Sequence, residues 1–400
     1  VFRRLFRKKK KEVKFFVSIG AGVNQLPLIR AAKDLGLSVI AVDQNSSAPG
    51  FLCADIRIQE SIEDIEEIYT KIQELLLNGT IVAIMTRSYG MATLTVAQLC
   101  ARTGLQNIPV DTANDLLSKK KMKALFQQHG IPSPKSIPLS KSKKKPEQFP
   151  LIVKPVTGHA KEGVQLITDN DSLSRYLKEH ADELVIEEFI DGDELIAFGI
   201  VNSGRFYLYE ITDKITTEHP FFCDLLHVSP SKHASRYAEI KAIGQAIADA
   251  AQMINSPLFF EMRVGIDNNI YVIEAAPEFG GELIAESLIP ASTGYNIFKD
   301  AIRTSIHAQI TLPQQYRSRQ AVVVHYLTAS REGIFSSFTH LSKKLPGLIA
   351  SHLFVTPGTH VTHAKSNHDR IGVIAVKAQT RDMALSRADE YTKLMDIKIT

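Results

Sequence analysis

Apolar and polar positions switch between a helical and an alternating period along this chain. KFFVSIG (14–20), LPLIRAAKDLG (26–36) and LSVIAVD (37–43) read as strand, helix and strand. Over 62–79, Ile65, Ile68, Ile72, Leu75 and Leu76 share one face of a helix. A strand at 80–85 and a helix at 93–104 continue the alternation. Repeated strand–helix units predict a parallel sheet with helices on both faces. The helix over 119–130 stops at Gly130, and prolines at 132, 134 and 138 forbid its continuation.

The pattern then changes. Short strands are expected at 149–155, 164–168, 183–190, 194–201 and 205–211, with glycine-bearing turns that suit antiparallel pairing. A long helix at 234–254 leads to two strands, FFEMRVG and IYVIEAAPEFGG, joined by a turn at IDNN. Gly280 and Gly281 are expected to open a further helix (280–290). Strands at 321–329, 348–355 and 371–378 and a helix at 380–395, capped by Thr380, predict a small closing α/β lobe. The fold class is therefore mixed, α/β followed by α+β.

Charge changes this picture only locally. Residues 1–14 carry eight Lys or Arg against Glu12, a +7 segment in a chain of net +4, so the body is slightly acidic. Residues 1–13 are expected to be a basic disordered tail, and no nucleic-acid partner is expected for the body. Cys53, Cys100 and Cys223 are too few and too scattered for a disulfide framework or a zinc cluster. They suit a reducing, cytoplasmic setting. No apolar run reaches the length of a membrane span.

The residues that could carry chemistry cluster in the middle of the chain. Glu261 and Glu274 lie in strands dense with Phe, Val and Ile, where carboxylates are rare without a partner. In an extended segment Glu274, Ala276 and Glu278 point the same way. Crowded carboxylates need a cation, and Mg²⁺ shared with phosphate oxygens satisfies them; a salt bridge to Arg263 or Lys154 is the plainer alternative. Lys154 interrupts an apolar strand, so its ammonium should meet an anionic ligand or a carboxylate. The loop Gly158-His159-Ala160-Lys161-Glu162-Gly163 offers backbone N–H groups that could cover phosphates. Glu187 and Glu188, at a strand end before Phe189 and Ile190, could line an adenine or simply face solvent, and Glu194 could accept from ribose hydroxyls. His227 and His233 are placed in a loop on the active-site side. The glycine loop GAGVNQ (20–25) lacks the third glycine of a dinucleotide fingerprint.

In order and spacing these segments resemble the ATP-grasp superfamily, in its carboxylate–amine ligase and biotin-carboxylase-like branches, over about 12–400. The resemblance implies an N-terminal preATP-grasp, Rossmann-like domain (14–112) and an ATP-grasp domain (113–312). The latter comprises a linker helix (118–130), a small lobe (131–190) and a large lobe (191–312), and a C-terminal α/β lobe follows (313–400). It also implies ATP and Mg²⁺ (or Mn²⁺) as cofactors. Lys119 and Lys154 would contact phosphates, with Gly158, His159, Ala160 and Gly163 in the covering loop. Glu187, Glu188, Phe189 and Ile190 would line the base, and Glu194 the ribose. Glu261, Glu274 and Glu278 would be the metal ligands. Small-molecule carboxylate and amine substrates and a homodimer are the partners it implies.

One motif departs from the family. Its second metal glutamate commonly continues as Glu-x-Asn-x-Arg, whereas this chain has Glu274-Ala-Ala276-Pro-Glu278. Ala276 cannot ligate a metal, and Glu278 reverses the sign of the arginine. Arg263 or Arg303 is the expected replacement for that charge, and Glu278 for the missing ligand. The implied activity is an ATP-dependent ligase acting on a small amino acid or carboxylate through an acyl phosphate, with ADP and phosphate released. The alternative is a noncatalytic or degenerate ATP-binding protein.

Overall fold

The computed structural model describes residues 12–75, 79–138, 146, 148–158, 160–180, 183–218 and 220–400. The basic segment up to residue 11 and His159 lie outside them. The chain forms two compact units, 1–106 with 302–308, and 107–301 with 309–400. The first break falls a few residues before the expected boundary at 112.

In the first unit, strands β1 (Val13–Ile19), β2 (Ser38–Val42), β3 (Ile56–Ile58) and β4 (Gly79–Thr86) form a parallel sheet in the order β3-β2-β1-β4. The strand interiors are mainly apolar, with Ser18 buried among them, as a sheet covered on both faces requires. Ile68 and Ile72 of the helix Ile65–Leu75 pack with Val17, Ile40 and Ile84. That helix therefore buries the face its periodicity marked.

The second unit opens with the helix Lys119–Gln128, whose N-terminal Ser118 side chain accepts from Lys121 N. Strands β5 (Leu151–Pro155), β6 (Gln165–Ile167) and β7 (Leu184–Glu188) make a small antiparallel sheet in the order β6-β5-β7. One face buries Leu151, Val153, Ile167 and Ile186 against Leu173 and Tyr176 of the helix Asn170–Glu179.

The large sheet takes β8 (Gly192–Asn202), β9 (Arg205–Thr216), β10 (Asp224–Ser229), β11 (Asn255–Gly265), β12 (Ile270–Ala276) and β13 (Ala321–Thr328). After β14 (Gly333–Ser337) come β15 (Leu348–Leu353), β16 (His360–Val361), β17 (Arg370–Ala378) and β18 (Lys398–Ile399). Eight strands run in the order β12-β11-β8-β9-β10-β13-β17-β15, and β16-β14-β18 form a small sheet beside them. In the region 313–400, expected as a C-terminal lobe, the strands β13, β17 and β15 extend this sheet. The ladder from β10 to β13, with Leu226 opposite His325 and Ser229 opposite Val322, supplies the continuity.

Two expectations change. The stretch containing His227 is the strand β10, not a loop. Gly280 and Gly281 do not open a helix: Gly280 and Leu283 have positive φ, and helical structure begins at Ile284. Among the described residues no helix is long and apolar enough to cross a membrane.

Candidate nucleotide and metal site

Three lysines converge where the helix Lys119–Gln128 meets β5, β7 and β12. Lys119 and Lys123 are one helical turn apart and share a face. The neighbouring Lys120 and Lys121 point outward to Glu183 and Asp115. Lys119 Nζ donates to Gly158 O at 2.7 Å, tying the helix to the glycine loop. Lys123 Nζ donates to Val272 O at 3.2 Å. Lys154 comes from β5 and lies 2.8 Å from Glu187 Oε2; Lys123 lies 3.4 Å from Glu187 Oε1. These three side chains are 6%, 4% and 3% exposed for Lys154, Lys123 and Glu187. One carboxylate thus serves two buried ammonium groups.

The protonation of this cluster follows from burial and charge. Burial pushes Lys123 down to about 8, with the Lys154 charge adding to the effect and Glu187 opposing it. Burial also lowers Lys119, partly offset by Glu274. Burial alone would raise Glu187, but Lys154 and Lys123 outweigh it and hold the carboxyl low. A buried site with more cations than anions is an anion site.

Glu274 stands beside this cluster. In the β11–β12 ladder, on the adjacent strands expected, it lies directly opposite Glu261. Glu274 is half-buried and makes no hydrogen bond or ion pair among the described residues. Glu261 is different: its Oε2 is 2.9 Å from Lys214 and 3.3 Å from Lys161. Glu278 follows Pro277 just beyond the strand end and is half-buried. Among the described residues no three His, Cys, Asp or Glu side chains form a metal-holding group. The unpaired Glu274 carboxylate facing a second carboxylate nevertheless suits one divalent cation completed by ligand oxygens.

A second charged cluster lies on the same sheet. Glu194, on β8, is reached by Lys161 at 3.2 Å, Lys214 at 2.5 Å and Arg263 at 3.4 Å. Burial opposes its ionisation, but Lys161, Lys214 and Arg263 together hold the Glu194 carboxyl far below the usual carboxylate range. Arg263 also donates to Ile190 O at 2.6 Å and lies 5.0 Å from the centre of the Phe189 ring and 5.7 Å from that of Phe222. Phe189, Ile190 and Phe222 thus form an apolar group roofed by a guanidinium. The structure therefore places Arg263 with the expected base and ribose residues. Arg303 lies in the segment 302–308, which belongs to the first unit.

The glycine loop is held from two sides. Lys161 reaches Glu194 and Glu261, and Ala160 O accepts from Asn367 N at 2.9 Å. Ala160 and Lys161 both have left-handed backbone (φ 57° and 63°), unusual for residues with a Cβ. Gly163 also has positive φ, and an added Cβ there would meet the Pro155 ring at 2.8 Å. Glu188 lies away from the buried lysines, accepting from Lys135 N at 2.9 Å.

Sequence reasoning missed Lys123, Lys214, Asp224 and Arg370. Asp224 pairs with Asn367 through two 2.8 Å hydrogen bonds. Arg370 lies 3.2 Å from Glu282 and 4.0 Å from the centre of the Tyr326 ring. The i, i+4 spacing of Lys119 and Lys123 was a readable signal for the first. His227 is buried, hydrogen-bonded to Thr212, and pushed by burial to about 4, so it is neutral at physiological pH. His233 pairs with Asp193 at 2.8 Å.

Comparison with known proteins gives a consistent picture. Residues 147–286 match the ATP-grasp domain model, and residues 325–400 match L-amino acid ligase C-terminal domain 2. An uncharacterized protein of Sinorhizobium fredii, y4rH, is 24% identical over 260 residues. The match takes in 59% of this chain and spans half of that protein's length. Among solved structures, L-amino acid ligase from Bacillus licheniformis superposes with a TM-score of 0.82 at 20% identity, covering 98% of this chain and 100% of that one. Phosphoribosylglycinamide synthetase from Anaerococcus prevotii gives 0.76 at 20% identity, covering 98% and 100%. Biotin carboxylase from Campylobacter jejuni gives 0.70 at 18% identity, covering 97% and 92%. At these identities the superpositions establish the fold.

Proposed function

Because the chain belongs to the ATP-grasp superfamily, in its carboxylate–amine ligase and biotin-carboxylase-like branch, we propose that it is an ATP-dependent ligase forming a C–N bond. The observation that carries this reading is three buried lysines, Lys123 and Lys154 on the single carboxylate of Glu187 and Lys119 on the glycine loop, next to Glu274, which makes no ion pair. Such a surplus of buried positive charge calls for a polyanion, and a nucleotide triphosphate supplies one.

In this reading the three lysines take the phosphates, and the loop around Gly158 and Lys161 covers them. Phe189, Ile190 and Phe222 take the base under Arg263, and Glu194 faces the ribose. Glu261 and Glu274 would hold Mg²⁺ or Mn²⁺, which when bound supplies positive charge to the phosphate oxygens. A substrate carboxylate attacks the γ-phosphorus and ADP leaves; an amine then attacks the acyl phosphate and phosphate leaves. The lysines stabilise charge that develops on the transferring group, and loop closure keeps water from the acyl phosphate. The match over 325–400 favours amino acids as substrates.

The second reading, an ATP binder without turnover, draws on Ala276 in place of a metal-ligating side chain. ADP release from Mg-ATP across amino acids and small carboxylates, singly and in pairs, separates the two. Release that requires a pair of substrates supports the ligase. Mg-ATP binding with no release for any pair supports the binder.

A further inference from the structure

Resting on that ATP reading, we propose that Lys214 is a built-in counter-cation for Glu261, so that the two glutamates take one divalent ion rather than two. Lys214 projects from near the C-terminal end of β9, opposite Glu194 on β8 and His227 on β10. Its side chain is 0% exposed. The ammonium lies 2.5 Å from Glu194 Oε1, 2.9 Å from Glu261 Oε2 and 3.4 Å from Asp224 Oδ1. None of these contacts is aligned as a hydrogen bond. Nζ is therefore held by charge from three sides, much as a small cation is held by oxygen ligands.

Three carboxylates, Glu194, Asp224 and Glu261, meet three cations, Lys161, Lys214 and Arg263. Lys161 is on the glycine loop and can follow the phosphates. Lys214, fully buried on a strand paired on both sides, cannot. A dication binding at Glu261 Oε2 would therefore meet a fixed positive charge already in contact with that oxygen. Two-metal sites need carboxylates free to bridge ions about 3.5–4 Å apart. Here one glutamate is open, Glu274, and the other has half its carboxylate committed to Lys214. His227, the ladder partner of Lys214 on β10, is neutral and leaves the balance unchanged. Ala276, two residues past Glu274 in β12, brings no further side-chain oxygen. Lys214 is thus a positioning residue, acting on metal number through Glu261.

The test counts Mn²⁺ bound to the full chain saturated with a non-hydrolysable ATP analogue, from the free-ion signal in electron paramagnetic resonance. One Mn²⁺ per bound analogue is expected for the native chain and for Lys214→Arg. Lys214→Met, which removes the charge and keeps the bulk, is expected to approach two. Two ions per analogue in the native chain would overturn the inference, as would a folded Lys214→Met that still binds one. Should Lys214→Met fail to fold, the native and Lys214→Arg counts still decide, because two ions in either contradicts it. Failure of the analogue to bind would overturn the ATP reading and this inference with it, whereas two ions beside a bound analogue would overturn the inference alone.

Discussion

Glu187→Gln isolates the electrostatic core of the site. The glutamine keeps the shape and removes the one carboxylate that serves Lys154 and Lys123. Two ammonium groups, 6% and 4% exposed, are then left without a counter-ion. Breaking a buried pair in this way costs about 3–5 kcal/mol. At about 2–4 °C per kcal/mol this lowers the melting temperature by on the order of 10 °C. Lys123 already titrates at about 8 through burial and Lys154, so losing Glu187 moves it lower. The unfolded lysine keeps its proton to about 10.4, so stability should recover as pH rises between the folded and unfolded values. Phosphates replace the missing carboxylate, and Mg-ATP should therefore raise the melting temperature more in the variant than in the native chain. Thermal melts at pH 7 and 9, with and without Mg-ATP, read all three effects. A nucleotide-free variant as stable as the native chain at pH 7 would refute the claim that Glu187 balances these lysines.

Other predictions follow from particular residues. Mg-ATP affinity measured by calorimetry should fall as pH rises through about 8, where Lys123 loses its proton. The loss should be at most about tenfold at pH 9 and absent in Lys123→Arg. Glu274→Ala should abolish ADP release yet lower the unfolding free energy less than Glu187→Gln does, since Glu274 acts on the buried lysines only at a distance, without an ion pair. Gly244→Ala should destabilise by about 1–3 kcal/mol in urea titration, because its Cβ would lie 2.3 Å from the Phe206 ring. Phe206 has little room to yield, since a Cβ at Gly199 would also meet its ring, at 2.4 Å.

What was legible in the sequence followed hydrophobic period. The covered parallel sheet showed itself as apolar runs, and the helix Ile65–Leu75 as a stripe of isoleucines. Elements whose polar residues find partners only in the folded chain were harder to see. Strand β10 carries Asp224 and His227 inside the structure, and only Lys214, Asn367 and Thr212 on other segments make that tolerable. The helix Asn170–Glu179 has few apolar positions, and its signal was the reciprocal Asp169–Ser172 cap. The expected helix starts at Ile284 rather than Gly280 because the backbone turns left-handed at Gly280 and Leu283. At the site, Lys154 and the two glutamates stood out as charges in apolar strands. Lys214 had the same signature, alternating with Glu210 and Thr212 along β9, but that strand extends past residue 211, where the apolar pattern ended.

The central claim is activation of a carboxylate as an acyl phosphate, and hydroxylamine tests it without knowledge of the natural amine. The full chain would be incubated with Mg-ATP, hydroxylamine and each amino acid in turn, and hydroxamate and ADP measured together. Hydroxamate and ADP are expected in equal amounts for at least one amino acid, with both lost in Glu274→Ala. ADP formed without hydroxamate, or AMP in place of ADP, would contradict it.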